Sequence, residues 1–149
     1  MDRDRHFMDC ALAEARAGLD EGGIPIGAAL VVDDAVVAVG RNQRIQRGSP
    51  TLHGEIACLE NAGRLPAATY RKATLYTTLS PCAMCTGAVL LYRIPRVVLA
   101  ENRTFRGEED LLEQRGVQLR NLDLDAAVQL MDEFRRRHPE LWNEDIGEP

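Results

Sequence analysis

ATLYTTLSPCAMCTGAVLLYRIPRVVLA, running from Ala73 to Ala100, holds two short β-forming runs with a helix-compatible segment between them. Thr74 to Thr78 reads as a strand, Cys82 to Tyr92 as a helix opening after Pro81, and Arg96 to Ala100 as a second strand bounded by Pro95. That order is a β-α-β crossover. The stretch from Ala73 to Tyr92 is 20 residues without a charge, nominally enough to span a bilayer. It carries Thr77, Thr78, Ser80, Pro81 and Thr86, however, and Ser80-Pro81 breaks it in two. A buried strand-turn-helix is expected, not a membrane span.

Upstream, Phe7, Met8, Ala11, Leu12, Ala15 and Leu19 recur at helical spacing before the Gly22-Gly23 stop, which predicts a helix near residues 4–21. Ile26 to Val32 and Val36 to Val39 are β-branched runs around Asp33-Asp34, a hairpin. Its near-continuous apolar character predicts that both sheet faces are covered. After a polar loop from Asn42 to Thr51, His53 to Gly63 reads as a second helix. Downstream come a polar loop at Arg103 to Gly107, a short helix near Glu108 to Arg115, a strand at Val117 to Leu122 and a long helix at Asp125 to Arg137. Strands alternating with helices imply a three-layer α/β/α fold. The chain shows no internal repeat or linker, and 149 residues suit one domain spanning residues 1–149.

A formal charge of −5 disfavours a broad polyanion-binding surface, so no nucleic-acid partner is expected. The Arg41, Arg44, Arg47 and Arg135-Arg136-Arg137 clusters lack interleaved aromatics and read as solvated faces or subunit contacts. Met1-Asp2-Arg3-Asp4-Arg5 is followed by no apolar segment, so no secretory signal and a cytoplasmic location are expected. In a reducing compartment the four cysteines read as thiols or metal ligands rather than disulfides. The tail from Pro139 to Pro149 is acidic yet carries Leu141, the sole tryptophan Trp142, and Ile146, which points to a docking role.

Cys82 and Cys85 sit at a helix start, where two sulfurs project toward the same end and the dipole favours thiolates. Alone, C-x-x-C also fits a structural zinc knuckle or a redox dithiol. His53, opening the other helix, adds a third ligand and leaves a fourth tetrahedral position free, the arrangement of a catalytic zinc. Glu55, two residues on, is beside the metal but not needed as a ligand, and is placed to move a proton between water and substrate. H-x-E followed by P-C-x-x-C is the zinc nucleobase deaminase signature. Cys10 and Cys58 read as small core residues, and His6 and His138 as solvated.

Beyond this signature, Gly22-Gly23-Ile24-Pro25-Ile26-Gly27, Thr51 through Glu55, Leu59-Glu60-Asn61 with Gly63-Arg64-Leu65, Thr74 through Cys85, and Trp142 with Glu144-Asp145-Ile146-Gly147-Glu148 resemble the yeast-type cytosine deaminase family. The resemblance implies a cytidine deaminase-like fold with a central mixed sheet, a Zn2+ cofactor, a small nucleobase substrate and a homodimer. It further implies that Asn42 hydrogen-bonds the pyrimidine edge, the Gly54 amide meets the ring carbonyl, the Ser80 carbonyl holds the exocyclic amine and Asp145 contacts the far side. Phe105 and Trp142 would wall the base, and residues 139–149 would close as a lid. Where that family has an aromatic three positions after the pocket asparagine, this chain has Ile45, which would loosen one wall and broaden the substrate range. The expected reaction is hydrolytic deamination of cytosine to uracil. Two alternatives stand beside it: a deaminase of another small aminated ring such as isocytosine, guanine or creatinine, and a non-catalytic zinc-stabilised RNA-binding module.

Overall fold

The computed structural model describes residues 2–149. The elements are α1 (Arg3–Asp20), β1 (Gly27–Val32), β2 (Ala35–Arg41), α2 (Arg44–Arg47), α3 (Gly54–Ala62), α4 (Ala67–Tyr70), β3 (Ala73–Thr77), α5 (Ala83–Tyr92), β4 (Arg96–Leu99), α6 (Glu109–Gln114), β5 (Gln118–Asn121), α7 (Asp125–Arg137) and α8 (Pro139–Asp145). The strands form one mixed sheet in the order β2-β1-β3-β4-β5. β1 runs antiparallel to both its neighbours, whereas β3, β4 and β5 are mutually parallel. The hairpin turns on Asp33 and Asp34, both at positive φ (50° and 64°), as a two-residue connection requires.

Period-two alternation along the central strands builds two cores. Ala28, Leu30, Leu75 and Val97 face one side, packing with Cys58 of α3, Val89 of α5 and Leu112 of α6. Ala29, Val31, Tyr76 and Val98 face the other, against Phe7, Met8, Ala11 and Leu12 of α1 and Ala127 of α7. This is the expected α/β/α sandwich, with helices on both faces of the sheet. A third cluster gathers at one end of the strands, where Ile24, Ile26 and Leu79 meet Met131, Phe134 and Trp142.

The hairpin departs from expectation. β1 is buried throughout, but Val36 and Val37 of β2 are 40% and 44% exposed. β2 is an edge strand, and the register slips between Leu30 and Val31, leaving Val37 outside the ladder. Edge position is a property of topology that an apolar run does not reveal. Gly40 shows how the other end of β2 is used: a Cβ there would fall 2.3 Å from the Cys58 amide nitrogen. Only glycine lets α3 lie this close, and that contact seats the middle of α3 against β2.

α8 adds an element. The tail, for which the sequence predicts none, forms a helix over Pro139–Asp145, opened by Pro139 at its first turn, which buries Trp142 and Asp145.

Candidate active site

Two helix beginnings converge at the strand end capped by the third cluster. His53 immediately precedes α3 and Cys82 immediately precedes α5, while Glu55 and Cys85 lie in the first turns. Both positive helix ends therefore face the same point, which favours anionic sulfur and carboxylate there. His53 Nδ1 lies 3.5 Å from Cys82 Sγ, and ligand atoms of His53, Cys82 and Cys85 all fall within 4.8 Å of one another. A tetrahedral site with Zn–S near 2.3 Å and Zn–N near 2.05 Å has an S–N edge of about 3.6 Å. The pair thus stands at chelating separation without rearrangement, and one imidazole with two thiols is the donor chemistry of zinc. On the far edge of the ring, His53 Nε2 is 3.4 Å from Asp145 Oδ1, the carboxylate partner that commonly orients a liganding histidine.

Burial opposes a charge on His53, but the hydrogen bond with Cys82 and the charges of Asp145 and Glu55 outweigh it and push the imidazole up to about 9. Cys82 is pulled down to about 4 by the hydrogen bond from Cys85, which outweighs burial, together with His53. Cys85 is driven upward by the same shared bond and by burial. A dication held by this set competes with the protons on these groups. Burial pushes Glu55 up to about 7, with the His53 charge pulling it back. Such a carboxyl can both accept and return a proton near neutral pH. Asp145 is likewise raised by burial, against the pull of His53 and Asn42.

Ile26, His53, Glu55, Leu79, Ser80, Cys82, Phe105, Trp142, Asp145 and Ile146 enclose a cavity with about 10 Å³ of free space. That is roughly what one water needs, so the side chains pack tightly around the reactive groups. Phe105 and Trp142 meet edge to face at 6.2 Å and form its apolar wall. Asn42 is fully buried and reaches the cavity through α8, donating from Nδ2 to Asp145 Oδ1 at 2.8 Å. Its Oδ1 accepts the Arg44 amide at 3.0 Å. Gly54 opens α3 against Ile26 and Gly27. The structure therefore gathers His53, Glu55, Ser80, Cys82, Phe105, Trp142 and Asp145 around one space, with Cys85, Gly54 and Asn42 directly behind.

Ile45 is the exception. Its side chain is 37% exposed and lines a surface groove with Arg44, Pro50, Leu141 and Glu144, outside the enclosed cavity. The single turn of α2 rotates Ile45 outward while Asn42, just before it, points in. Ile45 thus stands apart from the cavity whose wall it was expected to loosen, and Ile45→Phe should leave the ratio of kcat/KM values between any two ring substrates within about twofold, measured by ammonia release. Of the arginine clusters, Arg47 and Arg135-Arg136-Arg137 are exposed, as a solvated face would be, whereas Arg41 and Arg44 are engaged. Arg41 pairs with Glu14 and Glu21 at 3.1 and 3.0 Å, and Arg44 donates to the Pro50 carbonyl at 3.1 Å with Asp145 3.8 Å away. Ile26, Leu79 and Ile146 are lining residues that chemistry-based reading passed over, because apolar side chains carry no reactive signal.

The description of the cytidine and deoxycytidylate deaminase zinc-binding region matches residues 1–101. The chain belongs to this zinc-binding deaminase family. The enzyme is a zinc-dependent deaminase, and its His53, Cys82 and Cys85 cluster suits Zn2+. It is 51% identical over 146 residues to a cytosine deaminase from Candida albicans, covering 97% of both chains. It is 40% identical to a tRNA-specific adenosine deaminase from Buchnera aphidicola, but over 65% of this deaminase and 60% of that one. Among solved structures, a guanine deaminase from Nitrosomonas europaea shares the fold with a TM-score of 0.71 at 26% identity, covering 87% of this chain and 83% of that one.

Proposed function

We propose that this deaminase converts free cytosine and water to uracil and ammonia, with residues 1–149 acting as one domain and 139–149 as its lid. The observation that carries the reading is the position of the tail: Trp142, Asp145 and Ile146 line the same small cavity as His53, Glu55 and Cys82, so the segment must give way even for a single ring, and a ribose or a nucleic-acid strand would demand a wider opening. The likeness to the Candida albicans cytosine deaminase supports it, since that match spans nearly the whole chain, tail included.

In this reading His53, Cys82 and Cys85 hold the zinc. Bound there, zinc supplies the Lewis acidity that turns water into a nucleophile near neutral pH. Glu55 takes the proton released from water, protonates the ring nitrogen beside the amine-bearing carbon, and later carries a second proton to the departing amine. The Gly54 amide and Asn42 receive the ring carbonyl edge, the Ser80 carbonyl accepts from the exocyclic amine, and Asp145 faces it from α8. Phe105 and Trp142 hold the ring and keep out bulk water. The roles of Asn42 and Asp145 are joined by their 2.8 Å hydrogen bond, which ties the recognition loop to the lid.

A second copy of the chain is the proposed partner. Met84, Leu91 and Tyr92 of α5 are 36%, 72% and 42% exposed and share a groove with Ile56 and Leu59 of α3, an apolar face suited to a twofold contact. A cytoplasmic enzyme of pyrimidine salvage fits four free thiols, and among the described residues no helix is long and apolar enough to cross a membrane. Purified protein should contain about one zinc per chain, scatter light as a dimer, and release ammonia from cytosine with kcat/KM at least about 10²-fold above cytidine, guanine or creatinine. Faster use of a nucleoside or of another ring overturns the substrate, and stoichiometric iron overturns the metal.

A further inference from the structure

Ser80 is anchored at three points. Its amide donates to the Glu101 carbonyl at 3.1 Å, its hydroxyl accepts the Gly107 amide at 2.9 Å, and the same hydroxyl donates to Glu109 Oε2 at 2.6 Å. Glu109 is itself buried, at 7% exposure, and its carboxylate also accepts from Asn102 Nδ2 at 3.2 and 3.3 Å. Glu109 does not line the cavity. It lies behind the two parts that do: the Ser80-Pro81-Cys82 turn and the loop carrying Phe105.

The loop is pressed onto the turn as closely as backbone allows. The Glu108 amide donates to the Pro81 carbonyl at 3.1 Å, and a Cβ on Gly107 would fall 1.8 Å from that oxygen. Only glycine fits there, and its approach delivers the Gly107 amide to Ser80 and the Glu109 carboxylate behind it. For folding alone, a buried carboxylate with two neutral donors is a costly choice, with the nearest cation, Arg106 Nε, 4.0 Å away. What it provides is a short charge-assisted bond, stiffer than a neutral one, at a place where a displacement of about 1 Å costs turnover.

The geometry points to Glu109 as a positioning residue that, through the Ser80 hydroxyl, sets the turn whose carbonyl receives the exocyclic amine. The assignment rests on the proposed free-base reaction for its effect on turnover, but not for its effect on the turn.

The test is a double-mutant cycle with three readouts: kcat/KM, zinc content, and hydrogen exchange at the Gly107 amide. Glu109→Ala is expected to lower kcat/KM about 10-fold with zinc retained, and to speed Gly107 exchange by a similar factor, the scale of one lost buried hydrogen bond. Glu109→Gln, which keeps an acceptor for Ser80, should recover most of the loss. In a Ser80→Ala background, Glu109→Ala should cost less than about twofold, because the two residues act through one bond. Equal losses in both backgrounds, unchanged Gly107 exchange, or zinc lost in step with activity would overturn the assignment. If Glu109→Ala does not fold, Asn102→Ala loosens the carboxylate from its other side and should speed Gly107 exchange in the same direction; no change there overturns it equally. A wild type inactive on every free base overturns the substrate reading alone, and the exchange and zinc measurements still decide the role of Glu109.

Discussion

Glu55→Gln should fold, bind about one zinc per chain and lose roughly 10²–10⁴-fold in kcat, the usual worth of a general acid/base. Gln keeps the length and shape of the side chain in a position that is 4% exposed, so packing at the start of α3 is undisturbed. It cannot take up or release a proton. The three candidate ligands lie on His53, Cys82 and Cys85, and Glu55 is not among them; its hydrogen bond with Cys85 can be kept by an amide. Burial, which pushes Glu55 up to about 7, would not affect an amide, so the residual activity should lose whatever pH dependence this carboxyl imposes between about pH 6 and 8. Zinc analysis, circular dichroism and an ammonia-release assay on one preparation decide it. A variant within about threefold of wild type removes Glu55 from the proton path, and the non-catalytic zinc module then becomes the better account.

Where the sequence carried periodicity or a reactive pattern, it could be read closely. The α1 stripe of Phe7, Met8, Ala11, Leu12 and Ala15 is the buried face of that helix. The alternation in β1 sends Ala28 and Leu30 to one core and Ala29 and Val31 to the other. His53 and Cys82, read as the first residues of their helices, are their caps, a difference of one residue. Less legible were features that depend on what meets what across the fold. The Asn42 to Asp145 bond joins residues 103 apart, and the Ser80 to Glu109 bond residues 29 apart. No local pattern encodes either. The outward rotation of Ile45 depends on a single helical turn, too short to show a period. α8 had one local signal, Pro139 at its first turn, but its seven residues are held by Trp142 in the third cluster rather than by propensity.

That dependence sets the largest effect expected outside the proton path. Removing the residues after Pro139 should lower kcat/KM by at least about 10²-fold while zinc is retained, because losing the proposed lid would take away groups that close and orient but none of the candidate ligands. Trp142 is the partition: one side lines the enclosed cavity, and the other lines an open groove with Gln129, Glu133 and Arg136. Without it the two spaces join, and bulk water reaches His53, Glu55 and Cys82, weakening every electrostatic contact there. The deletion also bares Met131 and Phe134, so the truncated chain should be less stable, and its zinc content and far-UV spectrum must be shown to persist. Asp145→Ala separates the effects, since it keeps Trp142 and Ile146 in place and removes only the carboxylate that faces His53 Nε2 and Asn42. Its loss should be smaller than that of the deletion and should appear in both kcat and KM. A folded, zinc-loaded truncation that deaminates cytosine within a few-fold of wild type would show that α8 packs against the site without serving it.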